Sequence, residues 1–242
     1  MKIPRLYLDR ALHPHTHLIL EALETHRLST VLRLEKDRSI ILFNGDGHEY
    51  LGTISVMNRR AIHVKITEKI EKNLESPLLI HLGQVISKGE KMDFVIQKAT
   101  ELGVNEITPL LSERCVVQVK AERLQKKQEH WKKIAIHAAE QCGRTFVPTI
   151  HPPIPLMEWV FNAKEGRRFV LHVTAENSLK KAENLDTVAV LIGPEGGLTD
   201  QEVDFAVTKK FIPTQLGPRV LRTETAALAM LAMLQYQAGD LA

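Results

Sequence analysis

The strongest constraint on the fold is an alternation of strand and helix patterns that begins near residue 78. Residues 78–86 form an apolar run that predicts a buried strand. Apolar side chains then recur every three or four positions over residues 92–102, which predicts a helix with one face on a core. Gly103 stands where a helix-ending glycine is expected, and residues 104–111 form the next apolar run. Strand, helix and strand with short links predict a βαβ unit and a parallel sheet.

The alternation continues toward the C-terminal end of the chain. Thr199 and Glu202 have the spacing of a capping box, which predicts a helix from there to residue 209. Thr223 opens a final apolar helix that ends near Gly239. The other expected elements are helices over residues 123–142 and 157–161 and strands over residues 146–150, 168–173, 187–192 and 211–216. The predicted fold class of this half is therefore α/β.

The first seventy residues carry a different, strand-rich pattern. Apolar runs separated by tight turns lie at residues 39–43, 48–57 and 61–67. Short strands joined in this way predict a small barrel or sandwich. Residues 68–77 are charged, lack an apolar face and end at a proline, so we place the domain boundary there. We expect a first domain over residues 1–70 and a second over residues 71–242.

Charge and cysteine content exclude few kinds of partner. The formal net charge is only +3, which permits an RNA partner without demanding one. Two distant cysteines, Cys115 and Cys142, give neither the usual zinc-ligand spacing nor a disulfide framework. No apolar run is long enough to cross a bilayer, and the first ten residues lack a signal-peptide core. We therefore expect a cytoplasmic protein without a membrane association.

A glycine-bearing segment, the first loop (residues 192–199), leaves a predicted strand and enters the capped helix. Ligands of open α/β sheets bind at the carboxyl ends of strands, where glycines let backbone amides approach closely. The spacing fits neither the G-x-G-x-x-G dinucleotide fingerprint nor the G-x-x-x-x-G-K-[ST] phosphate loop. The residues alone leave two interpretations open, a ligand loop and a tight structural turn.

The second loop (residues 216–225) also joins a strand to a helix. It places Arg219, Arg222 and Glu224 directly before an apolar run. A structural interpretation makes Thr223 the N-cap, Glu224 a carboxylate favoured by the helix start, and both arginines solvated. A functional interpretation makes the same polar side chains part of a site. Spacing alone favours the structural interpretation.

The two loops in this order closely resemble those of the SPOUT methyltransferases, and in particular the bacterial family that methylates nitrogen 3 of a uridine in 16S ribosomal RNA. The motifs are Gly193-Pro194-Glu195-Gly196-Gly197 and Leu216-Gly217-Pro218-Arg219-Val220-Leu221-Arg222-Thr223-Glu224-Thr225-Ala226. Weaker matches lie at residues 31–33, 43–50, 98–104 and 140–144, so that the resemblance spans nearly the whole chain. One departure is Leu198, where the family pattern suggests an aromatic residue.

The resemblance implies a fold and partners that the residue patterns could not supply. The second domain would be a parallel α/β sheet with helices on both faces and a deep trefoil knot. The first would be a PUA-like barrel that helps to bind RNA. The family's subunits pair as homodimers with the cofactor at the interface. The substrate implied is 16S ribosomal RNA, with the small ribosomal subunit as its setting.

The implied cofactor is S-adenosyl-L-methionine, held by backbone groups of both loops and of a neighbouring strand end. Because its methyl group is already activated by a sulfonium, no metal is expected. The structural interpretations remain open: Ile192, Leu216 and Leu221 as core residues, and His172 as a merely hydrogen-bonded histidine. The cofactor-binding residues that the resemblance implies are Leu171, His172, Ile192, Gly193, Glu195, Gly196, Gly197, Leu216, Gly217, Val220, Leu221 and Thr225.

Three side chains are candidates for the chemistry: Arg222, Glu224 and Arg144. Uracil N3 carries a proton and is a poor nucleophile until that proton leaves, so a base or a stabilising cation is useful. Glu224 could accept the proton or orient the base, and Arg222 could hold a phosphate or stabilise the uracil oxygens. Arg144 follows Gly143 at a predicted helix end, where a cation also suits the helix dipole.

RNA contacts should be mainly electrostatic. The candidates are Arg5, Arg10, Arg33, Arg59 and Arg60, with a second basic run at Lys120, Arg123, Lys126, Lys127, Lys132 and Lys133. The second run could equally be a solvated helix face. Two alternative functions are a SPOUT enzyme that methylates a ribose 2′-hydroxyl of transfer RNA and a non-catalytic ribosome-assembly factor. The β-rich first domain and the second-loop sequence favour the uracil enzyme.

Overall fold

Five strands form a sheet in the first part of the chain. A computed structural model describes residues 3–21, 25, 35–58, 61–115, 121–175, 179 and 185–241. The strands are β1 (Arg5–Tyr7), β2 (His17–Leu20), β3 (Ser39–Phe43), β4 (His48–Met57) and β5 (Ile62–Glu71), in the order β1-β3-β4-β5-β2. Only the β1–β3 pair is parallel. Alternate residues such as Ile40, Leu42 and Ile54 are fully buried, so that one face of the sheet covers a core.

This sheet extends beyond the strands that the sequence predicted. The domain boundary was placed in residues 68–77, and β5 continues into this segment as far as Glu71, which pairs with His48 of β4. Its polar residues escaped the strand pattern because both of their faces are largely exposed there. Strands β1 and β2 were not predicted at all, since three- and four-residue strands are too short to show a period. The predicted β-rich domain is otherwise confirmed.

The remaining strands form an entirely parallel second sheet. They are β6 (Leu79–Val85), β7 (Glu106–Leu111), β8 (Thr149–Ile150), β9 (Ile154–Pro155), β10 (Arg167–Leu171), β11 (Thr187–Ile192) and β12 (Ile212–Thr214). Their order is β12-β10-β11-β6-β7-β8, with β9 also paired to β7. The parallel pairing confirms the predicted α/β class. The two-residue strand β9 was not predicted, and the expected strands 146–150 and 211–216 are shorter in the structure.

Helices cover both faces of this sheet. They are α1 (Lys91–Glu101), α2 (Ala121–Cys142), α3 (Leu156–Asn162), α4 (Asp200–Thr208) and α5 (Thr223–Ala238). Along β11, Val188 and Val190 point into a core shared with α1, α2 and α5. The intervening Ala189 and Leu191 point into a second core shared with α3 and α4. Because successive strand residues face opposite sides, the two cores show that the sheet is the middle of three layers.

The chain divides into two compact units, which do not coincide with a simple cut along the sequence. One comprises Met1–Glu75 and Ala139–Phe146, and the other comprises Ser76–Ala138 and Val147–Ala242. The end of α2 thus belongs with the first unit and its beginning with the second. Among the described residues, no helix combines the length and the apolar character that crossing a membrane requires.

The core of the second unit gives a test of the packing. A Cβ atom added at Gly83 would lie 2.6 Å from the ring of Trp159. We expect Gly83→Ala to lower the free energy of unfolding by about 1–3 kcal/mol, the usual cost of overfilling a core. Gly166→Ala is the control, since its nearest neighbour would be 3.3 Å away at Thr187 Oγ1. Urea denaturation that showed equal losses for both variants would contradict the packing described.

Candidate functional site

The first loop leaves β11 and turns sharply into α4. The predicted capping box is confirmed: the Glu202 amide donates to Thr199 Oγ1 at 3.2 Å, and the Thr199 amide donates to Glu202 Oε2 at 2.9 Å. Leu198 is buried, and an added Cβ at Gly193 would lie only 3.0 Å from its Cγ atom. A leucine therefore fills the position where an aromatic residue was expected, packed directly against a glycine.

The second loop is tied to the first by Thr223. Its hydroxyl donates to the carbonyl oxygen of Gly193 at 2.6 Å and accepts from Gln84 Nε2 at 3.0 Å. The structural interpretation of Thr223 as an N-cap is wrong, because Arg222 occupies the N-cap position and no side chain caps the helix. Thr223 instead joins the ends of two strands with its buried side chain.

A cavity of about 690 Å³ lies between the two loops, at the carboxyl ends of β10, β11 and β12. That volume is within the range of about 300–1,000 Å³ of small-molecule sites. Ten of the twelve residues expected to bind the cofactor line it: Leu171, His172, Ile192, Gly193, Glu195, Gly196, Gly197, Leu216, Val220 and Leu221. Gly217 and Thr225 are absent from the lining. The side chain of Thr225 is exposed, and Gly217 has a positive φ of 75°, which suits a residue that turns the loop.

The cavity lining combines apolar and polar side chains. Ile192 and Leu216 also pack against the core, so that their structural interpretation holds together with a place in the cavity wall. His172 lies in the wall, and its Nδ1 is 3.0 Å from Thr174 Oγ1. Val220 is 80% exposed. Such an apolar side chain at the mouth of a cavity is suited to contact a bound ligand.

Of the candidate residues Arg222 and Glu224, Arg222 lines the cavity and Glu224 is absent from the lining. Arg222 lines the cavity with an exposed side chain. Glu224 Oε2 is buried and has no hydrogen-bond partner among the described residues. The nearby Glu195 is partly desolvated, which alone would raise the pKa of its carboxyl group. Hydrogen bonds from Lys91 Nζ and the Lys88 amide outweigh that effect and lower the pKa of Glu195.

Two arginines of the first unit are engaged in buried contacts. Arg144 is 5% exposed and holds Glu75 with its Nε atom 3.0 Å from Glu75 Oε2. Arg5 pairs with Glu49, donates to the carbonyl oxygen of Arg144 at 2.7 Å, and is 7% exposed. The prediction that Arg5 contacts RNA therefore needs correction, because a buried and paired guanidinium is not accessible to a phosphate. The catalytic role of Arg144 stays a prediction. The structure also gives this residue a structural role, its contact with Glu75.

The other predicted RNA contacts are accounted for in part. Arg10 is half-buried, and its Nη2 donates to the carbonyl oxygen of Ile19 at 3.1 Å. Along α2, four basic side chains are exposed, at Arg123, Lys126, Lys132 and Lys133. Lys127 is partly buried, with its Nζ 5.7 Å from the centre of the Trp131 ring. Arg33, Arg59, Arg60 and Lys120 lie outside the described residues.

One cluster in the second unit has the residue types of a metal site. Ligand atoms of His81, Glu106 and His151 lie within 4.8 Å of one another. Hydrogen bonds within the protein account for them: His81 Nδ1 is 2.7 Å from Glu165, and His151 Nε2 is 2.6 Å from Glu106. Burial alone would raise the pKa of Glu165, but the hydrogen bond to His81 lowers it.

Sequence reasoning missed three polar contributors to the cavity edge. Gln84, at the end of β6, is fully buried and donates to Thr223. Arg114 Nη1 donates to the carbonyl oxygens of Gly196 and Leu198 at 3.1 and 3.3 Å. Lys91 lines the cavity from α1. Their positions at the carboxyl ends of β6 and β7 were the available signal, since those strands end at the same edge as β11.

The link between the loops gives a second test. Thr223→Val keeps the side-chain shape but removes the donor to Gly193 and the acceptor for Gln84, so we expect the cavity ligand to bind about 10-fold more weakly. Thr100→Val is the control, because its hydroxyl donates within α1, to Ile96 at 2.8 Å, and does not line the cavity. Calorimetry that showed equal affinities for both variants would refute the role given to Thr223.

The fold and the site together define a class: α/β proteins with a glycine-bearing pocket at the carboxyl ends of parallel strands and an additional small β-domain. Family models sharpen this. A model described as an RNA methyltransferase domain matches residues 74–235, and one described as an RNA methyltransferase PUA domain matches residues 28–67. The chain belongs to the RNA methyltransferase family, and within it to the group of ribosomal RNA small subunit methyltransferase E.

Individual relatives are similar over their full length. The ribosomal RNA small subunit methyltransferase E of Buchnera aphidicola from Schizaphis graminum is 42% identical, covering 99% of this chain and 98% of that protein. A solved methyltransferase E of Neisseria gonorrhoeae, bound to S-adenosyl methionine, has 34% identity and a TM-score of 0.93, with both chains fully covered. A Legionella pneumophila protein solved with the cofactor SAM has 41% identity and a TM-score of 0.96, also with full coverage of both chains.

Proposed function

We propose that this protein transfers a methyl group from S-adenosyl-L-methionine to nitrogen 3 of a uridine in 16S ribosomal RNA. The observation that carries the proposal is the meeting of the two loops around one cavity, joined by the 2.6 Å hydrogen bond from Thr223 to Gly193. The resemblance of both loop motifs to the uracil-N3 family and the names of the relatives support the substrate.

The residues present fit the cofactor. The cavity volume is ample for a small ligand, and Gly197 lines it with a φ of +72° and no atom within 4 Å of an added Cβ. A glycine there leaves the backbone open to a ligand. Ile192, Leu171 and Leu216 provide apolar walls for an adenine ring, and the loop backbone provides polar groups.

The protein's own side chains would then handle the uracil proton. When bound, S-adenosyl-L-methionine supplies a methyl group already activated by its sulfonium. Glu224 offers a carboxylate oxygen without a hydrogen-bond partner among the described residues, able to accept the N3 proton. Arg222, exposed at the cavity, can stabilise the negative charge that develops on the uracil oxygens or bind a neighbouring phosphate. The two loops that line the cavity would position the cofactor for attack by the nitrogen.

The proposal includes the wider organisation of the protein. We infer a PUA-like RNA-binding domain over residues 1–70 and a SPOUT domain with a trefoil knot over residues 71–242. The knot is inferred from the family resemblance of the two loop motifs. A homodimer with cofactor sites at its interface and a substrate within the small ribosomal subunit follow from the same family resemblance. A cytoplasmic setting is proposed from the sequence patterns alone. Arg10, Arg33, Arg59 and Arg60 remain proposed RNA contacts.

Mass spectrometry of 16S ribosomal RNA tests the proposal. RNA from cells lacking this protein should have lost one 3-methyluridine, and a plasmid copy of the gene should restore it. Loss of a 2′-O-methyl nucleoside from transfer RNA would instead identify the sibling activity. Unchanged methylation of both RNAs would favour the non-catalytic assembly factor.

A further inference from the structure

A lysine of α1 stands between the carboxylates of the two loops. Lys91 is the first residue of α1, which follows β6, and β6 lies next to β11 in the sheet. The carboxyl ends of both strands therefore meet at one edge. The Lys91 side chain lines the cavity and is about one-third exposed. It contributes a cation from a third segment to a site built by two loops.

The closer partner of Lys91 is Glu195 in the first loop. Lys91 Nζ donates to Glu195 Oε1 at 2.9 Å, and the Lys88 amide donates to the same oxygen at 3.3 Å. Glu195 sits between Pro194 and Gly196, in the turn that the Gly197 amide closes by donating to the Pro194 carbonyl at 3.0 Å. A carboxylate held at two points fixes the tip of the first loop against α1.

The second partner is Glu224 in the second loop. Lys91 Nζ lies 4.0 Å from Glu224 Oε2, the same buried oxygen that has no hydrogen-bond partner among the described residues. The Glu224 side chain is only 16% exposed, so that its charge is weakly solvated. A cation 4 Å away offsets part of that cost, and it also restricts where the carboxylate can point.

The other charged side chains that line the cavity make different contacts. Arg114 donates to the carbonyl oxygens of Gly196 and Leu198, and Arg222 is exposed. The charged and titratable side chains that line the cavity are Lys91, Arg114, His172, Glu195, Asp200, Arg219 and Arg222. Of these, only Lys91 has ion pairs with both loop carboxylates among the described residues.

We propose that Lys91 is a positioning residue that bridges Glu195 and Glu224, so that the cofactor loop and the candidate base keep one geometry. The inference rests on the proposed function for its reaction. Through Glu195 the lysine holds the cofactor wall, and through Glu224 it aims the carboxylate at the uracil proton. We call the contact with Glu195 the cofactor arm and the contact with Glu224 the catalytic arm. Loss of the first should change cofactor affinity and loss of the second should change kcat, whereas a lysine that only stabilised the fold would not affect the two quantities through different partners.

The catalytic arm is tested by a double-mutant cycle on kcat with purified full-length protein and small-subunit RNA. Lys91→Met should lower kcat about 10- to 100-fold, less than the roughly 10²- to 10⁴-fold contribution of the acid–base group itself, because the lysine acts only by positioning it. In the Glu224→Gln background the same change should alter kcat by less than about twofold, because the lysine has lost its target. Effects that multiply, or a Glu224→Gln protein with full kcat, would overturn the proposal.

The cofactor arm is tested by calorimetry with S-adenosyl-L-methionine and no RNA. Lys91→Met should weaken binding about 3- to 10-fold, whereas in the Glu195→Gln background it should have almost no further effect. Lys91→Arg, which keeps the charge, should recover part of both losses. Equal affinities for wild type and Lys91→Met would refute the Glu195 arm.

Lys98→Met is the matched control. Lys98 lies on the same helix and pairs with Glu101 at 2.8 Å, away from the cavity lining. It should leave kcat and cofactor affinity unchanged, and a Lys98→Met loss equal to that of Lys91→Met would assign the effect to the helix. If the wild type binds the cofactor but yields no 3-methyluridine, the proposed function fails while the Glu195 arm is still tested.

Discussion

Replacing Gly197 by phenylalanine is expected to weaken S-adenosyl-L-methionine binding by at least about 100-fold, a loss that corresponds to about 2.7 kcal/mol. Gly197 lines the cavity, and nothing lies within 4 Å of the Cβ atom that a side chain would add. The new ring would therefore enter the space that the ligand needs. Its φ of +72° adds backbone strain, which costs an L-residue about 1–2 kcal/mol.

Gly45→Phe separates occlusion of the cavity from backbone strain. Gly45 also has a positive φ, 92°, and open space at its Cβ, but it belongs to the turn between β3 and β4 in the first unit. The strain should be similar and the cofactor affinity unchanged. Calorimetry on both variants, with circular dichroism as a check of folding, decides the matter. Wild-type affinity of a folded Gly197→Phe protein would show that the ligand lies elsewhere.

Replacing the candidate base should strongly lower the rate of methyl transfer but leave cofactor binding intact. Glu224→Gln keeps the shape of the side chain but cannot accept a proton, so we expect kcat to fall about 10²- to 10⁴-fold. Arg222→Ala should give a loss of about 10²- to 10³-fold if its cation stabilises charge on the uracil. Cofactor affinity should change little in either variant, since Glu224 does not line the cavity and Arg222 is exposed at it.

Single-turnover assays with preformed cofactor complexes measure these losses directly. Glu101→Gln is a suitable control, because Glu101 is a carboxylate of the same unit that pairs with Lys98 on α1 and does not line the cavity. It should retain full activity. A Glu224→Gln protein with the wild-type rate would exclude Glu224 as the proton acceptor, and an Arg222→Ala protein with only a raised KM would make Arg222 a phosphate contact.

The sequence predicted those helices and strands whose residue pattern depends only on neighbouring positions in the chain. The stripe through Met92, Val95 and Ile96 predicted α1, and all three residues are buried in the structure. The capping box at Thr199 predicted the start of α4 to the residue. Both patterns are local, since a helix period and a cap each depend on a few neighbouring residues.

The missed features depend on contacts between distant residues. Thr223 has a local pattern typical of an N-cap, yet it bonds to Gly193, 30 residues away. Arg5 is of a residue type that often contacts RNA, but the fold buries it beside Glu49. In the sequence nothing distinguishes Lys91 from the other lysines. Only the pairing of β6 with β11 brings it to the first loop. No local pattern indicates which cation will face which carboxylate, so these assignments needed the tertiary structure.

Reconstitution of the reaction tests the central claim most directly. Purified protein, small-subunit RNA and S-adenosyl-L-methionine with a deuterated methyl group are incubated, and the digested nucleosides are analysed by mass spectrometry. We predict that the label appears in 3-methyluridine and that Gly197→Phe abolishes it. Label found in a ribose methyl group, or in no nucleoside while the protein binds the cofactor, would contradict the account.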